Sequence, residues 1–258
     1  MYAKLMKLAI TVILIIFSLQ YIALAEEAAT DKDKKTDKLT VEQEAAKRDS
    51  ELIQKLMLQS QQTRSPDPEV KDVEFDVGNN PIQGSDSARL MIVQFSDYSC
   101  PHCALFTKET YPEIVRNYID TGKVRYVIVD YPLPGDTPAI RAAEAAHCAS
   151  DQGKFREMHE DIMSEQQSIN DINSIASFAD LDINKFKACM DSKKYEDLVN
   201  KNISLGDKLH IPSVPGFVVA KIDPENPHKV KGISYIRGAK PYSDFQQAID
   251  KALAEIKK

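Results

Sequence analysis

Hydrophobic positions are unevenly spread along the chain: an almost unbroken run over residues 8–17, a sparse stretch over 26–68, then short periodic blocks from Val70 onward. In the last part Val73, Phe75 and Val77 alternate with charged residues, which predicts a half-buried edge strand, followed by a turn through Gly78, Asn79, Asn80 and Pro81. The apolar run 90–95 predicts a buried central strand, 107–120 a helix, and 124–129 a second buried strand ended by Pro132 and Pro134. From about 137 to 210 the period is helical throughout. Thr137 is expected to cap a helix that has Pro138 at its first position and continues through the Ala-rich run 139–149. Further helices are predicted over 154–165, 171–179, 184–192 and 195–209. Past Pro212 and Pro215, segments 217–220 and 233–235 predict an antiparallel pair around a turn at 224–227. Pro241 then opens an amphipathic helix with Phe245, Ile249, Leu253 and Ile256. This order of elements implies an α/β fold, a small mixed sheet interrupted by a helical insertion over about 137–210.

The N-terminal run has a different meaning. Lys4 and Lys7 precede it, and Ala23, Leu24 and Ala25 close it before Glu26 and Glu27, the layout of a secretory signal peptide over residues 1–25. The alternative is an uncleaved membrane anchor, because the stretch 8–25 reaches the lower limit for spanning a bilayer, though Thr11, Ser18, Gln20 and Tyr21 dilute it. Residues 26–68 form a charged extension, densest over 31–38 and without aromatic residues, which is not core material. Within it Thr40 and Gln43 resemble a capping box for a helix over 40–62, with Leu52, Ile53, Leu56 and Met57 on one side. Its seam of Leu39, Ala46, Ile53 and Leu56 sustains barely two heptads, so the segment is either a solvated tether or a helix for homo-oligomerisation. Ser65, Pro66, Asp67 and Pro68 mark a boundary, and the globular domain occupies 69–258.

Composition adds limits. A chain of 258 residues with 43% hydrophobic and 28% charged residues suits one medium soluble domain with extensions, and a net charge of -6 excludes nucleic acid as an electrostatic partner. Export sets the redox compartment, since disulfides persist outside the cytosol. The chain has four cysteines, which allow three pairings.

Cys100 and Cys103 lie where the predicted buried strand ends and a helix begins, with Cys100 at the N-cap, Pro101 at the first helical position and Cys103 one turn on. Pro101 lacks an N–H that would have had no helical partner there. Unpaired N–H groups and the helix dipole favour the thiolate of Cys100, the attacking and leaving form in disulfide exchange. His102, in the same turn, can donate to that thiolate, and Cys103 is positioned as the resolving thiol. A purely structural disulfide is a poor alternative, because so short a loop constrains the unfolded chain little. A zinc site lacks a second short-spaced pair: His159, His210 and His228 are scattered, and His147 and Cys148, being adjacent, face different directions on a helix. No metal and no cofactor is expected.

The segment Asp97, Tyr98, Ser99, Cys100, Pro101, His102, Cys103 resembles the active site of the DsbA-like branch of the thioredoxin superfamily, whose hallmark is Cys-Pro-His-Cys. Ile211, Pro212, Ser213, Val214, Pro215, Gly216, Phe217 and Val218 resemble that family's second hallmark, a valine before a cis-proline that opens a strand. The likeness covers about 70–258, including Gln152, Gly153, Lys154, Phe155 and His159 of the insertion. It implies a thioredoxin fold with a helical insertion between its βαβ and ββα halves, and protein disulfide oxidoreductase activity. It also implies a cis Val214–Pro215 bond facing Cys100, with the backbone of Val214 open to an extended substrate; an ordinary trans turn proline is the alternative. Related proteins often bridge positions such as Cys148 and Cys189, closing a loop worth roughly 3 to 4 kcal/mol, whereas their residues alone also allow two buried free thiols. One position departs from the family: Gln94 stands where the prototype carries a buried glutamate, so Asp97 or a water is expected to take over that role. Three functions are weighed, the first two implied by the resemblance and the third of a different class, a binding protein. The first is a periplasmic oxidase acting on unfolded or newly exported cysteine-containing proteins and reoxidised by a DsbB-like membrane partner. The second is an oligomeric isomerase assembled through 40–62 and kept reduced by a DsbD-like partner. The third is a tethered protein at the membrane, facing the periplasm, with vestigial redox chemistry.

Overall fold

Residues 46–55 and 65–256 are described by the computed structural model, so the segment 1–25, the Thr40 and Gln43 pair, Leu39, Leu56 and Met57 lie outside the described residues. The chain divides into two units, Met1–Pro66 and Asp67–Lys258. In the first, residues 46–55 are helical, with Leu52 and Ile53 exposed.

Among the described residues of the second unit, six strands make one mixed sheet. They are β1 (Glu74–Asp76), β2 (Ile82–Gln83), β3 (Leu90–Ser96), β4 (Arg125–Asp130), β5 (Gly216–Ile222) and β6 (Lys229–Arg237). Their spatial order is β1-β6-β5-β3-β4-β2. β3 and β4 run parallel with Gln94 opposite Ile128, and β5 lies antiparallel on the other side of β3 with Phe217 opposite Gln94. Alternate residues enter opposite faces. Leu90, Ile92, Tyr126, Ile128, Phe217 and Val219 join one core, while Met91, Val93, Phe95, Val127, Val129 and Val218 join the other. Both faces are covered, which is why β3 and β4 are buried along their whole length, polar Gln94, Ser96, Arg125 and Asp130 included, whereas β1, at the edge, alternates. β1 and the β5–β6 pair stand where the hydrophobic pattern predicts strands, though β5 and β6 are longer than expected. The two-residue β2 was not predicted, being too short to show a period.

The first helix differs from expectation. α1 (Pro101–Glu109) starts directly after the turn that follows β3, breaks at Thr110, and continues as α2 (Tyr111–Ile114) and a π-helical turn over Val115–Ile119. Pro112 is the cause, since it has no N–H to give to the preceding turn and its ring crowds that turn's carbonyl. The insertion comprises α3 (Thr137–Ser150), α4 (Phe155–Ser164), a 3-10 turn (Gln166–Ser168), α5 (Ile172–Phe178), α6 (Ile183–Asp191) and α7 (Glu196–Lys208). The cap of α3 is Asp136 and not Thr137: its Oδ1 accepts from Ala139 N at 3.1 Å, and Thr137 is already helical. Gly206 lets α7 close on the end of β4, because a Cβ there would meet the Tyr131 ring at 2.4 Å. A disulfide joins Cys148 of α3 to Cys189 of α6. α8 (Tyr242–Ile256) returns to the sheet and buries Phe245 and Ile249. The rings of Phe106, Phe217 and Phe245 meet with centroids 4.5–5.3 Å apart. Each such pair adds about 0.5–1.5 kcal/mol to simple burial and pins α1 and α8 to β5. Among the described residues, no helix is long and apolar enough to cross a membrane.

Candidate active site

The active-site loop is the turn from β3 into α1. Cys100 is the N-cap, extended at φ -84° and ψ 117°, and Pro101 occupies the first turn. Cys100 N donates to Asp97 O at 3.1 Å, and the Cys100 carbonyl receives Cys103 N at 3.0 Å and Ala104 N at 3.2 Å. Both thiols are free; that of Cys100 is half-buried, whereas Cys103 has no exposed surface. From the far side of β3 comes the loop before β5, with a cis Val214–Pro215 bond. Cys100 Sγ donates to Val214 O across 3.8 Å, so two segments 114 residues apart face each other. Among the described residues nothing accepts from the Val214 N–H. Gly216 follows because a Cβ at that position would meet Tyr235 Oη at 2.5 Å.

The two sulfurs have opposite acidities. Cys100 is lowered from 9.0 to about 6, chiefly by the Cys103 thiol donating to it and also by the backbone N–H groups of Cys103 and His102; burial and the charge of Asp97 oppose this. Cys103 is pushed well up, first by burial, then by its bond to Cys100 and the charge there. One thiol of the pair is therefore ionised at neutral pH and the other is not. The imidazole of His102 is exposed and, among the described residues, makes no hydrogen bond to the sulfur, so it is the main chain of His102 that contributes.

Behind Cys103 lies a chain of neutral groups. Tyr126 donates its hydroxyl to Gln94 Oε1 at 2.6 Å and Gln94 Nε2 donates to Ser96 Oγ at 3.3 Å, and the Ser96 hydroxyl slightly offsets the upward push that burial gives the Cys103 thiol. Asp97, expected to stand in for a buried acid, has another task. Its carboxylate accepts from Ser99 N at 2.7 Å and Leu133 N at 3.3 Å, and burial holds it above its ordinary value. The insertion reaches the same loop. His159 Nδ1 lies 3.0 Å from Tyr98 Oη and Nε2 lies 3.4 Å from Thr107 Oγ1; full burial lowers this imidazole to about 4, so it is neutral. Gln166 Nε2 donates to the carbonyls of Tyr98 and Cys100. A groove of about 860 Å³ runs beside Pro101, between α1 and the 3-10 turn. Sequence reasoning missed Ser96 and Gln166. A serine ending an apolar strand is a weak signal, and a glutamine in a polar linker gives none. Among the described residues no three His, Cys, Asp or Glu side chains converge to hold a metal ion.

Residues 76–251 match the family model described as thioredoxin. A putative protein-disulfide oxidoreductase of Rickettsia prowazekii is 26% identical over 207 residues, covering 77% of this chain and 71% of that one. The Na(+)/H(+) antiporter NhaA 3 of Salinispora tropica is 27% identical over 165 residues, 63% of this chain, which spans only 25% of the antiporter's length. Among solved structures, alpha-DsbA1 of Wolbachia pipientis superimposes with a TM-score of 0.58 at 26% identity, over 69% of this chain and 92% of that one.

Proposed function

Because the chain belongs to the thioredoxin family, in its DsbA-like branch, and is a protein-disulfide oxidoreductase working by thiol–disulfide exchange, we propose that it serves as an exported oxidase. The observation that carries this reading is the opposed acidity of Cys100 and Cys103. A thiol with a low pKa leaves readily as thiolate, and stabilising that thiolate makes the disulfide a stronger oxidant. In the reaction a substrate thiolate attacks Cys100 of the Cys100–Cys103 disulfide, and that bond breaks. Cys103 leaves, and its high affinity for protons lets it take one up at once. A second substrate thiolate then attacks the substrate sulfur of the mixed disulfide, and Cys100 departs as a stable thiolate. Two electrons have passed from the substrate to the protein.

Pro101 fits the first helical turn without an unpaired N–H, and His102 supplies a main-chain donor. The open N–H of Val214, beside Pro215, supports main-chain pairing with an unfolded, newly exported cysteine-containing protein. Residues 1–25 would direct export to the periplasm, and a DsbB-like membrane partner would restore the disulfide.

The test is Cys103→Ser, incubated with a disulfide-bearing substrate: mixed disulfides through Cys100 should accumulate because the resolving attack is lost. A variant that traps nothing rules out Cys100 as the attacking thiol. A second reading, an isomerase assembled through residues 40–62 and kept reduced by a DsbD-like partner, is favoured by the exposed Leu52 and Ile53 on the helical stretch 46–55.

A further inference from the structure

The insertion grips the active-site loop at two points. His159 of α4 holds the hydroxyl of Tyr98, with Nδ1 3.0 Å from its Oη, and Gln166, just beyond α4, donates through one amide nitrogen to Tyr98 O at 2.7 Å and Cys100 O at 3.0 Å. The side-chain amide carries two N–H bonds, so a single group can satisfy both carbonyls, and only Ser99 separates the two residues it holds. The span between them therefore has little freedom to rotate. The main-chain N–H groups of His102 and Cys103 act on Cys100 Sγ while Cys100 keeps its extended cap conformation, φ -84° and ψ 117°. Rotation about that ψ would swing the Cys100 carbonyl out of the helix start and carry the following N–H groups away from the sulfur.

We propose that Gln166 is a positioning residue for thiol–disulfide exchange: by clasping the carbonyls of Tyr98 and Cys100 it keeps the attacking sulfur against the N–H groups at the start of α1. This rests on Cys100 being the attacking thiol.

The test follows the rate of Cys100 alkylation against pH in the reduced full chain. The parent is compared with Gln166→Ala, Gln166→Glu and, as a control, Gln167→Ala, whose side chain is exposed one position away. Gln166→Ala should move the profile to higher pH, lowering alkylation at pH 6 by about threefold to fivefold, the effect of losing one or two hydrogen bonds. Gln166→Glu should move it further wherever the new carboxylate is ionised, because that group repels both carbonyls. Gln167→Ala should leave it in place. A Gln166→Ala profile that superimposes on the parent overturns the proposal, even if the melting temperature falls, because the glutamine would then only brace the fold. If Gln166→Ala does not fold, Gln166→Met keeps the packing without the donors and carries the same expectation. A parent that itself titrates near 9 sinks the assignment of Cys100 and this inference with it, whereas a normal parent with an unmoved variant sinks this inference alone.

Discussion

Cys100, with its thiol at about 6 against an ordinary 9.0, changes charge just below neutrality, and the direction of its shift decides how the reduced protein responds to pH. A group whose folded value is depressed contributes stability that is complete above its unfolded value and is lost as pH falls through its folded value. The reduced form should therefore gain stability relative to the oxidised form between pH 6 and pH 9, and lose that advantage on acidification. Thermal unfolding of both forms across this range, with the alkylation profile of Cys100 showing a midpoint near 6, checks the prediction; a reduced form that weakens steadily from pH 6 to 9 contradicts it. The pair Cys100 and Cys103 was readable from spacing alone, because strand end, proline and helix start are local features. The size of the asymmetry was not. It comes from the burial of Cys103 and from the thiol-to-thiolate bond, both of which depend on what packs over α1. Gln94 was legible as a residue that cannot ionise, yet its partners Tyr126 and Ser96 were not, because a strand's neighbours cannot be read from its own residues.

At the scale of elements, periodicity located β3, β4, the five insertion helices and α8 to within a residue or two at most ends. Ends with a specific side-chain device were less visible. Asp136 takes the cap that Thr137 was expected to take, and Pro112 splits what reads as one helix. At the first, either of two adjacent residues could have capped and backbone geometry chose; at the second, a single proline inside an otherwise helical period breaks the hydrogen-bond ladder. The bridge between α3 and α6 belongs to this scale as well. It closes a loop with a sequence separation of 41, so replacing both Cys148 and Cys189 by serine should lower stability by about 3 to 4 kcal/mol. Urea unfolding measures the loss, and the Cys100 alkylation profile should stay where it was. A double variant as stable as the parent would show that helix packing alone holds the insertion.

For the molecule as a whole, the fold places its chemistry where three chain segments converge, residues 97–103, the loop with Val214 and Pro215, and the turn carrying Gln166. All three belong to the unit Asp67–Lys258. Deleting residues 26–66 should accordingly leave disulfide formation in a reduced substrate unchanged. Light scattering on residues 26–258 and on the deletion variant tests the other reading. If the deletion turns an oligomer into a monomer and abolishes refolding of a scrambled-disulfide substrate, the extension serves an isomerase and the oxidase reading fails.

The amino-acid order alone determined the α/β class, the position of the insertion and the thiol pair, because each is written in spacings of a few residues. Folding alone decided the strand order, the neutral groups behind Cys103 and the hold of Gln166 on the active-site loop, and it brought about the approach of Val214 to Cys100 that the family resemblance implies. Those contacts join residues between 2 and 114 positions apart, and what brings them together is the burial of apolar faces elsewhere in the sheet, which leaves no periodic trace at the contacting residues themselves.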